Sequence, residues 1–328
     1  MKSAETTAVK RGVVNREAIG DFFRVYGTLF ALVLVVIFFA AVKPRVFPTW
    51  TNTRNILQQV SILGVIATTQ TIVMCLNDFD VSVGTLGSLV GVTVGALMNL
   101  GWAPPLAMLI GLAVGATAGF TNGFFVAIAG LSPFVATLAT MTAFEGVSFL
   151  VAHGTTLFGF PTSFQFLGST GHIGPIPLIV VIAAVVLFLG WFAMTRMSVG
   201  RRWYAIGGNR DAAFLSGVRV MRLRVLAFTI SGLGAALMGI LIASRVAAAH
   251  PTQGEAYLMP SIATVFLGMT AFKRGQANIP GTIVGVLILG VLQNGLDITH
   301  VNSYVVEIVT GAVMLFAITF SQLAKKRA

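Results

Sequence analysis

The stretch VSVGTLGSLVGVTVGALMNLGWAPPLAMLIGLAVGATAGFTNGFFVAIAGLSPFVATLATMTAF, Val81 to Phe144, runs 64 residues without an Asp, Glu, Lys or Arg. After the single Glu145, Gly146 to Thr195 adds 50 more. Crossing a hydrocarbon core takes about 20 apolar residues, so these two runs alone have room for several helices. Over the whole chain of 328 residues only 9% are charged, and the mean hydropathy is +0.91. A soluble protein of this length needs far more charge to cover its surface. Many apolar runs also exceed the roughly 9–11 residues of a barrel strand and lack its steady alternation. The composition specifies an all-α polytopic membrane protein.

Working outward from that stretch, glycine, proline and polar punctuation divide the chain into about ten hydrophobic elements: 25–42, 56–76, 81–98, 103–128, 133–151, 176–195, 223–244, 256–271, 279–296 and 303–321. The short ones, 256–271 above all, suit broken or re-entrant segments, which protein or a water-filled cavity must surround. The expected organisation is a tail over 1–24, one transmembrane domain over 25–321 with a polar interruption at 196–222, and a second tail over 322–328.

The basic residues set the orientation. Ten spans with both ends cytoplasmic put seventeen of the 21 Lys and Arg inside: five in the first tail, Arg196, Arg201, Arg202, Arg210, Arg219, Arg222 and Arg224, then Lys273, Arg274, Lys325, Lys326 and Arg327. Only Lys43, Arg45, Arg54 and Arg245 stay outside, which fits the positive-inside tendency and an even number of spans. The same placement explains the net charge of +11 without nucleic acid, for which no basic and aromatic interleaving speaks. The first 24 residues are too mixed in charge for a simple signal peptide.

Glycine spacing is the second signal. Gly87, Gly91 and Gly95 form one four-residue ladder, Gly111, Gly115, Gly119 and Gly123 another, and Gly281 and Gly285 repeat it once. Each set occupies one helix face, where it lets a neighbouring backbone come close. A densely packed bundle is expected. The polar stretch from His153 to Pro175 carries no charge and is expected to form short irregular structure on the outer face. In the basic stretch inside, Asn209 can cap a short helix through Asp211 to Leu215, and Gly217 can end it. Such a helix outside the membrane suits docking to another protein, or is an ordinary surface turn.

Catalytic and metal signals are absent from the sequence. It has no phosphate loop of the Gly-x-x-x-x-Gly-Lys-Ser/Thr type, no His-Glu-x-x-His and no Gly-x-Ser-x-Gly. His153, His172, His250 and His300 are widely separated, and the single Cys75 cannot form an internal disulfide. Asp78 and Asp80 form one close acidic pair without a second cluster to complete a metal site. Ser82 and Ser231 read as packing residues or donors to backbone carbonyls. Glu145 and Glu307 fall within predicted spans, where a charge is costly, and a proton- or sodium-coupled transporter uses such residues.

From Asn77 to Gly84 the chain begins to resemble the ribose-type sugar ABC transporter permease family, the monosaccharide importers of the branched inner-membrane subunit group. The family's acidic residue followed by Leu/Val-Ser-Val-Gly is matched by Asp80, Val81, Ser82, Val83 and Gly84. Its Pro-Phe-x-x-Thr-Leu-x-Thr is matched by Pro133, Phe134, Thr137, Leu138 and Thr140. The most specific block is cytoplasmic: Gly200, Tyr204, Ala205, Ile206, Gly207, Gly208 and Asn209, then Ala212, Ala213, Ser216, Gly217 and Val218. Ser231, Gly232, Gly281, Thr282, Asn294, Gly295 and Leu296 continue the match, which covers roughly 50–320.

This resemblance implies a permease subunit of an ATP-driven monosaccharide importer in the bacterial inner membrane. The implied partners are a second permease subunit, two ATP-binding subunits or one tandem ATPase, and an extracytoplasmic sugar-binding protein. ATP and Mg²⁺ then belong to the ATPase, and this chain holds no cofactor and no catalytic residue. The resemblance also implies that 200–222 contains a coupling helix seated on the ATPase, through Tyr204, Gly207, Gly208, Asn209, Ala212, Ala213, Ser216 and Gly217. Asp80, Ser82, Thr137 and Asn294 are the expected pathway residues. The alternative function is an ion-coupled secondary transporter of a small polar solute. The chain departs from the family at Leu76-Asn77-Asp78, where relatives often have Gly-Gly, at Glu145-Gly146 in place of Arg-Gly, and over 267–275.

Overall fold

A computed structural model of the protein describes residues 27–272 and 275–326. The described chain is helical throughout apart from short connections. In order, its main helices are α1 (Gly27–Val42), α2 (Trp50–Cys75), α3 (Val83–Asn99), α4 (Pro104–Ala127) and α5 (Pro133–Val151). An excursion follows with β1 (Leu157–Phe158), the single turn α6 (Thr162–Gln165), a π-turn, and a small hairpin of β2 (His172–Ile173) and β3 (Ile176–Pro177). Then come α7 (Leu178–Thr195), α8 (Ser198–Gly208), α9 (Arg210–Leu215), α10 (Val220–Val246), β4 (Ala248–Ala249), α11 (Leu258–Met269), α12 (Ile279–Ile298) and α13 (Ser303–Lys326).

Six of these, α2, α4, α5, α7, α10 and α12, are long and apolar enough to cross a membrane. Shorter apolar helices lie at Gly27–Val42, Val83–Asn99, Glu255–Met269 and Tyr304–Val313. The last helix continues to Lys326. The first tail and the Lys273-Arg274 pair lie outside the described residues.

Local chemistry explains where the helices begin. Pro104 and Pro133 open α4 and α5, where a missing N–H costs nothing. The Asn278 side chain accepts from Gly281 N–H at 2.8 Å and caps α12. Packing then sorts the helices: the most apolar window of α2 is 83% buried, against 17% for α5 and 22% for α7. The bundle is built around α2, α3 and α10, with α5 and α7 on its flank.

The segment 256–271, expected to be broken or re-entrant, holds the continuous short helix α11, and the irregular backbone lies just before it. Between α10 and α11 the chain runs from Ala247 to Tyr257 with only β4, paired antiparallel to β1, and one 3-10 turn. It descends along α3: a β-carbon at Gly95 would meet Ala249, one at Gly91 the Gln253 side chain, and one at Gly84 the Glu255 backbone. Polar side chains satisfy parts of this irregular backbone, with Gly254 N–H donating to Ser88 Oγ at 2.8 Å and Ser148 Oγ donating to Pro251 O at 3.0 Å. Non-helical backbone inside a bundle is stable only under such cover.

Candidate functional site

Helix α2 ends where Asn77 takes a left-handed backbone, φ 58°, and α3 begins at Val83. The two carboxylates of the intervening break point to different partners. Asp78, 1% exposed, accepts from Arg224 twice, Nε to Oδ2 at 2.8 Å and Nη2 to Oδ1 at 2.9 Å. Arg210 Nη2 reaches the same Oδ1 at 3.2 Å. Arg224 also donates to Val126 O, near the end of α4, at 3.1 Å. A buried guanidinium with a fork-to-carboxylate bond and a carbonyl partner is well compensated.

Asp80, fully buried, enters a polar cluster instead. Its Oδ1 accepts from Ser82 N–H at 3.1 Å and Ser82 Oγ at 2.7 Å, and its Oδ2 accepts from Ser231 Oγ at 2.8 Å. Asn122 Nδ2 donates to Ser82 Oγ at 2.8 Å, Gln70 Nε2 donates to Asp80 O, and Val81 N–H donates to Thr137 Oγ1 at 3.2 Å. Ser82 and Ser231 therefore serve a carboxylate, in place of the packing or backbone-carbonyl roles expected from their small-residue surroundings. The break is thereby tied to α2, α4, α5 and α10. Gln70 Oε1 and Asn122 Oδ1 are buried in this cluster without a hydrogen-bond partner.

Of the four expected pathway residues, Asp80, Ser82 and Thr137 come together, all with no exposed surface. Asn294 lies on α12, 8% exposed, beside Gly295, which packs on Phe39 of α1. Sequence reasoning passed over Gln70, Asn122 and Arg224. The signal for the two amides was there: each is a carboxamide in a long uncharged stretch of its helix, where its hydrogen bonds must be met inside the bundle. Glu145 is half-buried on α5 and Glu307 is exposed on α13. Among the described residues no group of three or more His, Cys, Asp or Glu is placed to hold a metal.

The basic interruption folds as two helices, α8 and α9, hinged at Asn209, whose side chain accepts from Ala212 N–H at 2.9 Å. Gly217 has φ +80°, the left-handed terminating position. The pair is fastened to the bundle by Trp203 Nε1 donating to Leu223 O at 3.1 Å, Tyr204 Oη to Ala277 O at 2.9 Å, and Asn77 Nδ2 to Gly207 O. Burial pushes the Tyr204 phenol well above its ordinary pKa, with the nearby Cys75 adding to the rise. Gly208, Asn209, Ala212, Ser216 and Gly217 are exposed, whereas Tyr204 and Gly207 are half-buried. Ala213 turns inward, 6% exposed, and the apolar side chains turned outward are Phe214 and Leu215, at 65% and 83%. Beside them a cleft of about 460 Å³ is lined by Arg202, Ser216, Gly217, Val218 and Arg219.

The glycine ladders meet different neighbours. Gly115, Gly119 and Gly123 of α4 face the α10 backbone at Gly232, Phe228 and Val225, while Gly111 faces Val90 and Val94 of α3. Gly87 faces Ala235 and Met238 of α10, Gly91 both Gly239 and Gln253, and Gly95 Phe160 and Ala249. Gly281 and Gly285 of α12 pack on Gly268 and Thr264 of α11.

Comparison with known proteins places this architecture. The family described as "Branched-chain amino acid transport system / permease component" matches residues 52–318. The chain is 38% identical over 295 residues to the ribose import permease protein RbsC of Bacillus subtilis (strain 168), covering 89% of this chain and 91% of that one. It is 34% identical over 306 residues to the D-allose transport system permease protein AlsC of Escherichia coli (strain K12), covering 93% and 94%. The xylose transport system permease protein XylH of the same strain is 28% identical, with 93% of each chain covered. No solved structure matches. With six candidate spans, a bundle that includes the expected motifs, and relatives matched almost end to end, the chain belongs to this family of multi-pass transport permeases and is a transport subunit rather than an enzyme.

Proposed function

We propose that the chain is the membrane-spanning subunit of an ATP-driven importer of a ribose-like monosaccharide. The observation that carries the reading is its likeness, over about nine tenths of its length, to permeases named for ribose import and D-allose transport. The six long helices with α1, α3, α11 and α13 supply ten crossings, the eighth completed by the non-helical stretch along α3. Both ends are then cytoplasmic in the bacterial inner membrane, and α8 and α9 lie on the cytoplasmic side with the arginines. The domain is single, over 25–321.

In this reading the α9 face is the seat for the ATP-binding subunit, because Phe214 and Leu215 stand exposed on a basic segment. The chain pairs with a second permease subunit and receives sugar from an extracytoplasmic binding protein. High affinity resides in that binding protein, since a pathway that held sugar tightly would release it slowly. Asp80, Ser82, Thr137 and Asn294 supply polar groups toward the pathway when the bundle opens.

Reconstitution tests this. Alone in liposomes the chain neither hydrolyses ATP nor accumulates sugar. With its ATP-binding subunit and the loaded binding protein it accumulates ribose-like sugar at the expense of ATP. Accumulation by the isolated chain under a proton or sodium gradient would replace this reading with ion-coupled transport.

A further inference from the structure

Resting on that coupling reading, we propose that Asp78 is the positioning residue through which the α8–α9 segment moves the break between α2 and α3. Three elements converge on its carboxylate: α9 through Arg210, the early part of α10 through Arg224, and, by way of Arg224, the end of α4 at Val126. Arg210 is the first residue of α9, directly after the Asn209 hinge. A displacement of the docking helix therefore pulls first on Asp78.

The link beyond Asp78 is short and stiff. Asp80, two residues on, is held by Ser82 and Ser231, and the adjoining backbone by Gln70 and Thr137. On the other side of Asp78, Asn77 bonds Gly207, and Gly207 lies against the Cys75 carbonyl. The break is thus gripped at one end by the docking segment and at the other by α4, α5 and α10. Exposure also separates the two arginines: the Arg224 side chain is 8% exposed and the Arg210 side chain 45%. Arg224 has the character of a fixed anchor, and Arg210 that of the arm that transmits.

The test uses the full complex in proteoliposomes. Arg210→Gln removes the exposed arm and keeps the buried Asp78–Arg224 pair, so the chain folds and the ATP-binding subunit still co-purifies. Sugar moved per ATP hydrolysed is expected to fall at least about fivefold, the lower end of ordinary coupling between sites. The ATP-induced change in hydrogen exchange over residues 76–82 is expected to vanish, and Arg210→Lys to restore part of both. Asp78→Asn is expected to show the same uncoupling with lower thermal stability. Unchanged transport per ATP and an unchanged exchange response in Arg210→Gln would overturn the proposal. Failure of the unaltered chain to capture an ATP-binding subunit would instead overturn the coupling reading itself.

Discussion

Gly232 of α10 and Gly119 of α4 lie backbone to backbone. A β-carbon built on Gly232 would sit 2.8 Å from the Gly119 α-carbon, and one built on Gly119 would sit 3.0 Å from that of Gly232. No side chain fits between them, and both helices would have to separate to admit one. The closeness replaces a hydrophobic drive that lipid does not provide.

Gly232→Val should therefore destabilise the bundle by about 1–3 kcal/mol or more, the ordinary cost of overpacking. Gly146, with nothing near its would-be β-carbon, is the control. Gly146→Ala should be neutral or slightly stabilising, since alanine is the better helix former. Thermal unfolding in detergent compares the two, and equal midpoints would contradict the seam.

Ser231→Ala removes the one donor to Asp80 Oδ2 among the described residues and leaves a buried carboxylate oxygen unmatched. The expected cost is about 1–3 kcal/mol. Uptake should fall with it, because the same bond holds the break to α10. Uptake and midpoint both at the unaltered level would show that the cluster is held by other means.

Gly217 has open space around it, so only its backbone resists a side chain. Gly217→Val should cost about 1–3 kcal/mol of local strain, leaving weak capture of the ATP-binding subunit and poor transmission. Gly217→Asn should be milder, since asparagine tolerates the left-handed region. Equal behaviour of the two variants in co-purification and sugar-stimulated hydrolysis would exclude backbone strain as the cause.

Ala213 and Leu215 separate packing from docking. Ala213→Trp places an indole where α9 meets the bundle and should displace the helix, losing assembly. Leu215→Ser alters a side chain 83% exposed, so stability should stay within about 0.5 kcal/mol while ATPase co-purification drops. Normal co-purification of both variants would remove α9 from the interface.

Tyr204 stays a phenol donor to Ala277 O through the physiological range, because burial raises its pKa. Its contribution is complete below the ordinary tyrosine value of about 10 and is lost as pH climbs from there toward the raised folded value. Tyr204→Phe should cost about 0.5–1.5 kcal/mol and abolish that alkaline loss. Unfolding midpoints of the two proteins between pH 8 and 11 measure it (about 10 being the point of departure). Parallel curves would contradict the assignment.

The sequence by itself determined the helical membrane class, the number and rough limits of the apolar elements, and the Asn209 cap and Gly217 stop of α9. Each depends on composition or on residues within a turn of one another. It also showed that the glycine ladders were contact faces, since four-residue spacing defines a face whatever lies opposite. Only the tertiary structure decided what lies opposite: α10 for most of the α4 ladder, but Gln253 of the irregular stretch before α11 for Gly91, and chiefly Phe160 of the excursion after α5 for Gly95. Helix α8 was missed for the same reason. With Gly200, Gly207 and Gly208 among its eleven residues it has poor intrinsic helicity, and burial of Trp203 and Ile206 against the bundle compensates. Asp78 and Asp80 looked like one acidic pair in the sequence, yet they face different partners. Their roles depend on Arg224 and Ser231, about 150 residues away along the chain, and hydrogen-bond partners at that separation are set by how helices pack, which no local pattern encodes.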